Sequence, residues 1–412
     1  MKPGRVSLEG RRVCLVGRSR YPSDLYMRRE AESLASSGCR ISVICQRGKG
    51  EPIHEKRDDI DIYRMPVKRF ERAINRYLFE YGAFFALSSL QLIALHIMKH
   101  FHAVQVNTAP GCLIFIAGIP KLTGTRLIFS MRKPAPEFFE ATSRSWYGKL
   151  LVPLINLVEK LSLRFADHAL TGSREMRDNL GRKGADVNKI SVVVNMPDES
   201  SFHPEDYEKL YEKIAAIKKE ERRKGMFRIL FRGPVEENSG LDVVVKAIAN
   251  LKQRLPGVQF RISGKGNYSV GIRELAKTLK VEGQVENIEF ASNDRIIEEV
   301  LAADAGIIPT RENPHSNLVH PPEIYELIAM RIPVIASRLE SVAAYFPEDA
   351  IVYFESGNDK DLADKIHYLF AHPEEIEHRN QAAREICTTY GWEREGKKYL
   401  GIYQTLLTSG TQ

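Results

Sequence analysis

Residues 303–337, ADAGIIPTRENPHSNLVHPPEIYELIAMRIPVIAS, carry the residue types best placed for chemistry. An apolar run at 305–308 enters Pro309-Thr310, a polar loop follows, a helix begins near Pro321-Pro322, and a second apolar run covers 333–336. The spacing predicts strand, loop, helix and strand in a parallel sheet, and such sheets bind ligands beyond the C-terminal ends of their strands. A loop that leads backbone N–H groups into a helix start suits a phosphate. Glu326 falls near the first turn of that helix, where a carboxylate can accept from a ribose hydroxyl pair. Other chemistries lack their motifs. No GxxxxGK[ST] loop, GxSxG elbow or HExxH pair occurs, which argues against an ATPase, an α/β-hydrolase and a zinc protease. His96, His100 and His102 cluster by sequence without acidic partners, so no metal is expected.

The elements that must hold this segment read as alternating strands and helices. RVCLVG (12–17), a helix over 24–37 stopped by Gly38, and RISVIC (40–45) predict a βαβ start with a short loop at 18–23. Strands are predicted at 60–66, 103–107, 126–131 and 168–173, with a helix over 69–100, and 190–198 closes the first half. Residues 203–225 read as a charged linker, much of it helical. The alternation restarts at 226, with strands at 227–233, 259–266 and 285–290 and helices at 241–254, 268–279 and 295–302. This predicts two doubly wound domains, 1–202 and 226–391. The end, 392–407, is amphipathic, with Tyr399, Ile402, Tyr403 and Leu406 on one face.

The totals fit two soluble α/β domains. The chain has 412 residues, 43% hydrophobic and 27% charged, beyond the size of one ordinary core. Net charge is +7, which favours phosphate-bearing partners in general. No nucleic-acid-binding signature accompanies it, so no nucleic acid is expected. Five scattered cysteines without a CxxC pair predict reduced thiols of a cytoplasmic protein. The N-terminus lacks the apolar core of a signal peptide. The most apolar stretch, 83–98, is interrupted by Ser88, Ser89, Gln91 and His96 and is predicted to be a buried helix, with peripheral membrane contact as the other reading.

An ordered set of blocks resembles family 4 glycosyltransferases. It runs from HALTGSREMRDNLGRKGADVNKISVVVNMPDESSF (168–202), with Asn195 after a strand, through Arg232-Gly233, Ser263-Gly264-Lys265-Gly266 and Ala303-Asp304-Ala305 to YGWEREGKKYLGIYQTL (390–406). The N-terminal half matches more loosely, through 21–45 and APEFFE (135–140). The resemblance implies a GT-B fold: two Rossmann-like domains facing across a cleft, with 392–412 crossing back onto the N-terminal domain and hinges near 196–225 and 385–392. It implies a nucleotide-sugar at the C-terminal domain, held by Gly233, Gly264, Pro309, Thr310, His315, Ser316, Asn317, Leu318 and Val319, with Glu326 on the ribose. Glu326, Arg232 and Lys265 are the residues expected to carry catalysis, and Arg18, Asn107, Arg132 and Lys133 are expected on the acceptor side.

The departures are specific. Leu318 stands where the family's first carboxylate of a Glu-x7-Glu pair is usual, and Glu323 where some branches carry a Lys. The cations that often hold the diphosphate align with Pro234 and with Asn238 or Ser239, so Arg232, Lys265, Arg311 and His315 are the replacements to test. In the N-terminal half, Ser130, Arg132 and Lys133 stand at an Asp-x-His-Asp-like strand end, and Asn107 where His is common.

The expected activity is a metal-independent, retaining transfer of a sugar from a UDP- or GDP-linked donor. The acceptor would be a saccharide or polyprenyl-linked molecule in polysaccharide or glycoconjugate synthesis, with no cofactor. The expected place is the cytoplasm, at the inner face of the membrane where the acceptor is lipid-linked. A catalytically weakened GT-B protein acting as a binding or scaffold subunit of a polysaccharide assembly system is the alternative.

Overall fold

The computed structural model describes residues 8–67, 74–107, 111–142, 146–194, 207–288 and 293–408. The chain divides into two compact units, 1–195 with 392–412, and 196–391.

The first unit is built on an eight-stranded sheet in the order β3-β4-β2-β1-β5-β6-β7-β8. In chain order its elements are β1 (Arg12–Gly17), α1 (Leu25–Ser36), β2 (Arg40–Gln46), β3 (His54–Arg57), β4 (Ile60–Met65), α2 (Ile74–Lys99), β5 (Ala103–Asn107), α3 (Gly118–Leu122), β6 (Arg126–Met131), α4 (Ala135–Thr142), α5 (Trp146–Phe165), β7 (His168–Thr171), α6 (Arg174–Arg182) and β8 (Ile190–Val192). The central strands are buried runs such as VCLVG and ISVICQ, as strands covered on both faces must be. Asp24 starts α1 because its Oδ1 accepts the N–H groups of Tyr26 and Met27, each at 3.0 Å. Among the described strands only β3 runs antiparallel, against β4. The sequence reading missed β3: HEKR has no apolar alternation, and edge pairing with β4 holds it.

The chain moves one way from β1 through β2 to β4, then the other way from β5 to β8. Right-handed crossovers therefore place α1 on one face and α2, α3, α5 and α6 on the other. The reversal lies between β1 and β5, so a ligand of this unit belongs near Gly17 and Asn107.

The second unit has a six-stranded, all-parallel sheet in the order β11-β10-β9-β12-β13-β14. It begins with α7 (Glu208–Arg223) and continues through β9 (Met226–Arg232), α8 (Leu241–Leu251), β10 (Gly257–Ser263), α9 (Ser269–Thr278), β11 (Val285–Ile288), α10 (Asn293–Ala302) and β12 (Ala305–Ile308). Then come α11 (Glu323–Ala329), β13 (Val334–Ser337), α12 (Glu340–Ala343), β14 (Val352–Phe354), α13 (Asp359–Ala371) and α14 (Glu374–Tyr390). Here the strand order reverses between β9 and β12. The tip of β9 and the loop after β12 are thereby set side by side.

The last helix, α15 (Trp392–Thr408), returns to the first unit. Tyr399 and Tyr403 are fully buried there, in one core with Val13, Met27 and Ile41. Trp392 Nε1 donates to Ser33 Oγ of α1 at 3.0 Å.

Three expectations need correction. Residues 203–225 are not a linker where described: α7 belongs to the second unit, with the Arg222 guanidinium 5.1 Å from the Phe227 ring and Arg228 Nη2 2.6 Å from Glu221. The stretch 83–98 is not a buried helix. Residues Phe79–Lys99 are long and apolar enough to cross a membrane, and only 28% of that stretch is buried. In the closing segment 190–198 the strand, expected to run up to Asn195, ends at Val192, and Asn195 lies outside the described residues.

Candidate functional site

The second unit gathers most of the residues expected on the donor side at its switch point. Arg232 is the last residue of β9 and Gly233 follows it at φ 142°, a backbone state natural to glycine. β10 lies beside β9 with Ser263 opposite Arg232, and the Gly233 N–H donates to Ser263 O at 3.2 Å. Gly264 comes next, so close that a Cβ on it would overlap the Gly233 carbonyl. Its glycine is demanded by backbone packing within the site, whatever ligand approaches. Lys265 is exposed, and its carbonyl accepts the Val235 N–H at 3.1 Å. Across β9, buried Pro309 and half-buried Thr310 leave β12.

Glu326 reaches back from the first turn of α11 and its carboxylate is ion-paired with Arg232 Nη1. Glu323, three residues earlier at the start of α11, lies beside the same strand tip: a Cβ on Gly233 would stand 3.1 Å from a Glu323 carboxylate oxygen. Burial pushes the Glu323 carboxyl up, opposed by its own backbone N–H and by Arg232. Burial pulls the Arg232 guanidinium down, opposed by Glu323. One cation is thus held between two carboxylates, and Glu323 already takes a backbone N–H at the helix start.

The loop before α11 is braced mainly from within. Asn313 Oδ1 accepts the N–H groups of His315 (3.0 Å) and Ser316 (2.9 Å). The Asn317 N–H donates to Asn313 O at 3.1 Å, and the Leu318 N–H to His315 O at 3.0 Å. Ser316 is buried, Ser341 Oγ donates to its carbonyl at 2.7 Å, and Leu318 is buried and apolar. His315 and Val319 are half-buried. Backbone N–H groups of Ser316, Asn317, Leu318 and Val319 were expected to serve a phosphate, and for the first three this is corrected: local turns take them. Arg311 is drawn away as well, with Nη2 2.6 Å from Asp242 Oδ2. Asn313 is the structural anchor of the loop, which the sequence reading missed although Asn313-Pro314 is a turn signal.

His320 links this loop to α11. Its Nδ1 lies 2.9 Å from the Tyr325 hydroxyl and its ring 4.6 Å from that of Tyr345. Burial drives its pKa down to about 4, so the ring is neutral.

In the first unit, Asn107 and Arg132 meet at the C-terminal ends of β5 and β6. Arg132 Nη2 lies 3.0 Å from Glu30 and its Nη1 3.3 Å from Asp24. Asn107 Nδ2 donates to Glu30 at 2.6 Å, and so does Gln105 Nε2 at 2.9 Å. Gln105 Oε1 accepts from Tyr399 (2.9 Å) and Tyr403 (2.8 Å), which ties α15 to the same network. Burial alone would push the Asp24 carboxyl up, but Arg132, Ser19 and the Met27 N–H hold it below the usual range. Arg18 stands apart from this group, 2.5 Å from Glu80 and 3.8 Å over the Tyr81 ring. Lys133 is exposed near the Phe138 ring. Two of the four expected acceptor-side residues are therefore joined, and Arg18 and Arg132 each already face a carboxylate.

Both units match known family models. Residues 212–386 match "Glycosyl transferases group 1", and residues 24–196 match "Glycosyl transferase 4-like domain". The chain belongs to the group 1, family 4-like glycosyltransferases, as a divergent member. A D-inositol 3-phosphate glycosyltransferase of Pseudarthrobacter chlorophenolicus is 24% identical over 56% of this chain, and one of Nocardiopsis dassonvillei is 24% identical over 61%. These matches span only 54% and 57% of the relatives' own lengths. Among solved structures, sucrose-phosphate synthase from Thermosynechococcus elongatus superposes with a TM-score of 0.76 at 15% identity, covering 97% of this chain and 100% of that one. Anabaena Alr3699/HepE in complex with UDP gives 0.68 at 13% identity, covering 96% and 100%. At these identities the structural likeness establishes the fold, which is GT-B.

Proposed function

We propose that the protein is a retaining glycosyltransferase that takes a UDP- or GDP-linked sugar at its second unit and transfers it to a saccharide or polyprenyl-linked acceptor. The observation that carries the reading is Arg232 and Glu326 meeting at the switch point of a group 1 glycosyltransferase domain. In this reading Glu326 exchanges Arg232 for the ribose hydroxyls. Arg232, freed, turns with Lys265 to the diphosphate, whose negative charge grows as it departs. The acceptor oxygen bonds to the anomeric carbon on the face the phosphate leaves. The carbon–phosphate-oxygen bond breaks, and that oxygen takes the hydroxyl proton, so no protein nucleophile and no metal is required by the scheme. Asn107, Arg132 and Lys133 would face the acceptor. The HepE structure in complex with UDP supports a donor of this class. The place of work would be the cytoplasmic face of a membrane.

A second reading draws on one specific observation. Glu323 and Glu326 both face Arg232, so the donor site has little free positive charge. In that reading the fold is kept for binding, as a scaffold subunit of a polysaccharide assembly system.

Calorimetric titration with UDP, GDP and ADP separates the two, with Glu326→Ala as the control. Micromolar binding of one nucleotide, lost in the variant, supports the enzyme and chooses the donor for turnover assays. A folded protein that binds none of the three overturns it in favour of the scaffold.

A further inference from the structure

One face of the first unit's sheet leaves a broad apolar surface open. On α2, Phe84, Leu92 and Leu95 are buried against the unit. Its opposite side is bare, with Phe79 70%, Leu90 67% and Met98 69% exposed. Every exposed residue from 79 to 98 is apolar or glycine. α2 and α5 both pack on the 3-10 helix Gly111–Ala117, and α2 touches α3, so the three helices share one side. α3 adds exposed Leu122, and α5 adds Leu151, Leu154, Leu157 and Leu161 at helical spacing. Apolar area of this extent, continued over neighbouring helices, marks an interaction surface.

The charged side chains exposed on the described part of α5 are cationic. The α5 residues exposed beside its leucines include Lys160 and Arg164. The carboxylates of α2 and of the described part of α5 are turned inward: Glu80 pairs with Arg18, and Glu159 with Lys183 at 3.1 Å.

We propose that the α2–α3–α5 face docks on an anionic lipid bilayer, with α2 lying flat in the headgroup layer. An anionic bilayer supplies both an apolar layer for the leucines and countercharge for Lys160 and Arg164. A two-fold dimer through this face would instead bring the same cationic patch of two copies together. Crossing the membrane would require pulling Phe84, Leu92 and Leu95 out of the core, so α2 lies on the bilayer and does not span it. The proposal extends the reading of an enzyme at a membrane face. Its test uses no nucleotide and no turnover, so either can fail alone.

The experiment is co-sedimentation of the full chain with phosphatidylcholine vesicles, with and without phosphatidylglycerol. The wild type is expected to bind the phosphatidylglycerol vesicles, more weakly as salt rises. Leu87→Glu with Leu90→Glu, and separately Lys160→Glu with Arg164→Glu, are each expected to lower partitioning by about tenfold or more. These side chains are exposed, so melting temperatures should stay at the wild-type value, which confirms intact folds. A folded wild type that ignores anionic vesicles overturns the proposal, as does unchanged binding by the leucine variant. A wild-type dimer in light scattering that the leucine variant dissolves would give the face to a second copy and overturn it too.

Discussion

Arg232, at the tip of β9, is ion-paired with Glu326, in the first turn of α11. The cation best placed for a diphosphate is thus held by the carboxylate best placed for a ribose. In the proposed reaction donor binding would be an exchange of partners, with its strength set by how far Glu323 opposes the incoming charge.

Glu326→Ala should weaken nucleotide binding by about 10- to 100-fold, the worth of roughly 1.5–3 kcal/mol for hydrogen bonds to a charged group. Calorimetry reads this directly. Affinity equal to that of the wild type would remove Glu326 from the ribose.

Glu323→Gln should act in the opposite direction and strengthen nucleotide binding by about 3- to 10-fold near neutral pH, because it deletes a negative charge beside Arg232. The sign follows from protonation. The folded Glu323 carboxyl lies above its ordinary range, so as pH falls it neutralises early and stops repelling the diphosphate. Wild-type affinity should therefore rise on mild acidification relative to the variant. Parallel pH profiles of the two proteins would refute this.

His320 makes the second unit sensitive to acid. Its folded pKa is about 4 against 6.5 for the free group, so between those values the unfolded chain binds the proton and the folded one does not. Stability is fully present above pH 6.5 and falls as pH drops toward 4, by about 3 kcal/mol at most. Denaturant melts of wild type and His320→Gln across this window should show a steeper acid loss in the wild type. Identical slopes would mean that the ring is not buried neutral.

Gly264→Ala places a methyl group on the Gly233 carbonyl, and backbone cannot yield there cheaply. A loss of about 2–4 kcal/mol is expected, together with loss of nucleotide binding. Gly283→Ala, where a Cβ meets nothing within 4 Å, serves as the control. Equal melting temperatures for the two variants would show that the turn relaxes.

Arg132→Met should destabilise the first unit by about 2–4 kcal/mol, since Glu30 and Asp24 lose their shared cation. Tyr403→Phe removes one hydroxyl from Gln105 and should cost about 1 kcal/mol. If Arg132→Met proves no worse than Tyr403→Phe, the Arg132 pairs are loose and the guanidinium is available to an acceptor.

The strand, loop, helix and strand of 303–337 were legible because their signals are local. Apolar runs such as AGII and VIAS, the Pro321-Pro322 helix start and the glycine turn at 264–266 each act over a few residues. The edge strand His54–Arg57 was not legible, since its only stabilising pattern is its neighbour. The open side of α2 was misread for a related reason. Apolar character says that a side chain avoids water when it can, and only neighbouring elements decide whether it does.

The sequence by itself determined the family, the two α/β halves and the strand–loop–helix–strand order of 305–337, since periodicity and turn chemistry are short-range properties of the chain. Only the tertiary structure decided which charges are spent on each other. Arg132 meets Glu30 from 102 positions away, and Arg232 meets Glu326 across a sheet reversal. Coulomb attraction depends on separation in space and on burial, and the fold sets both.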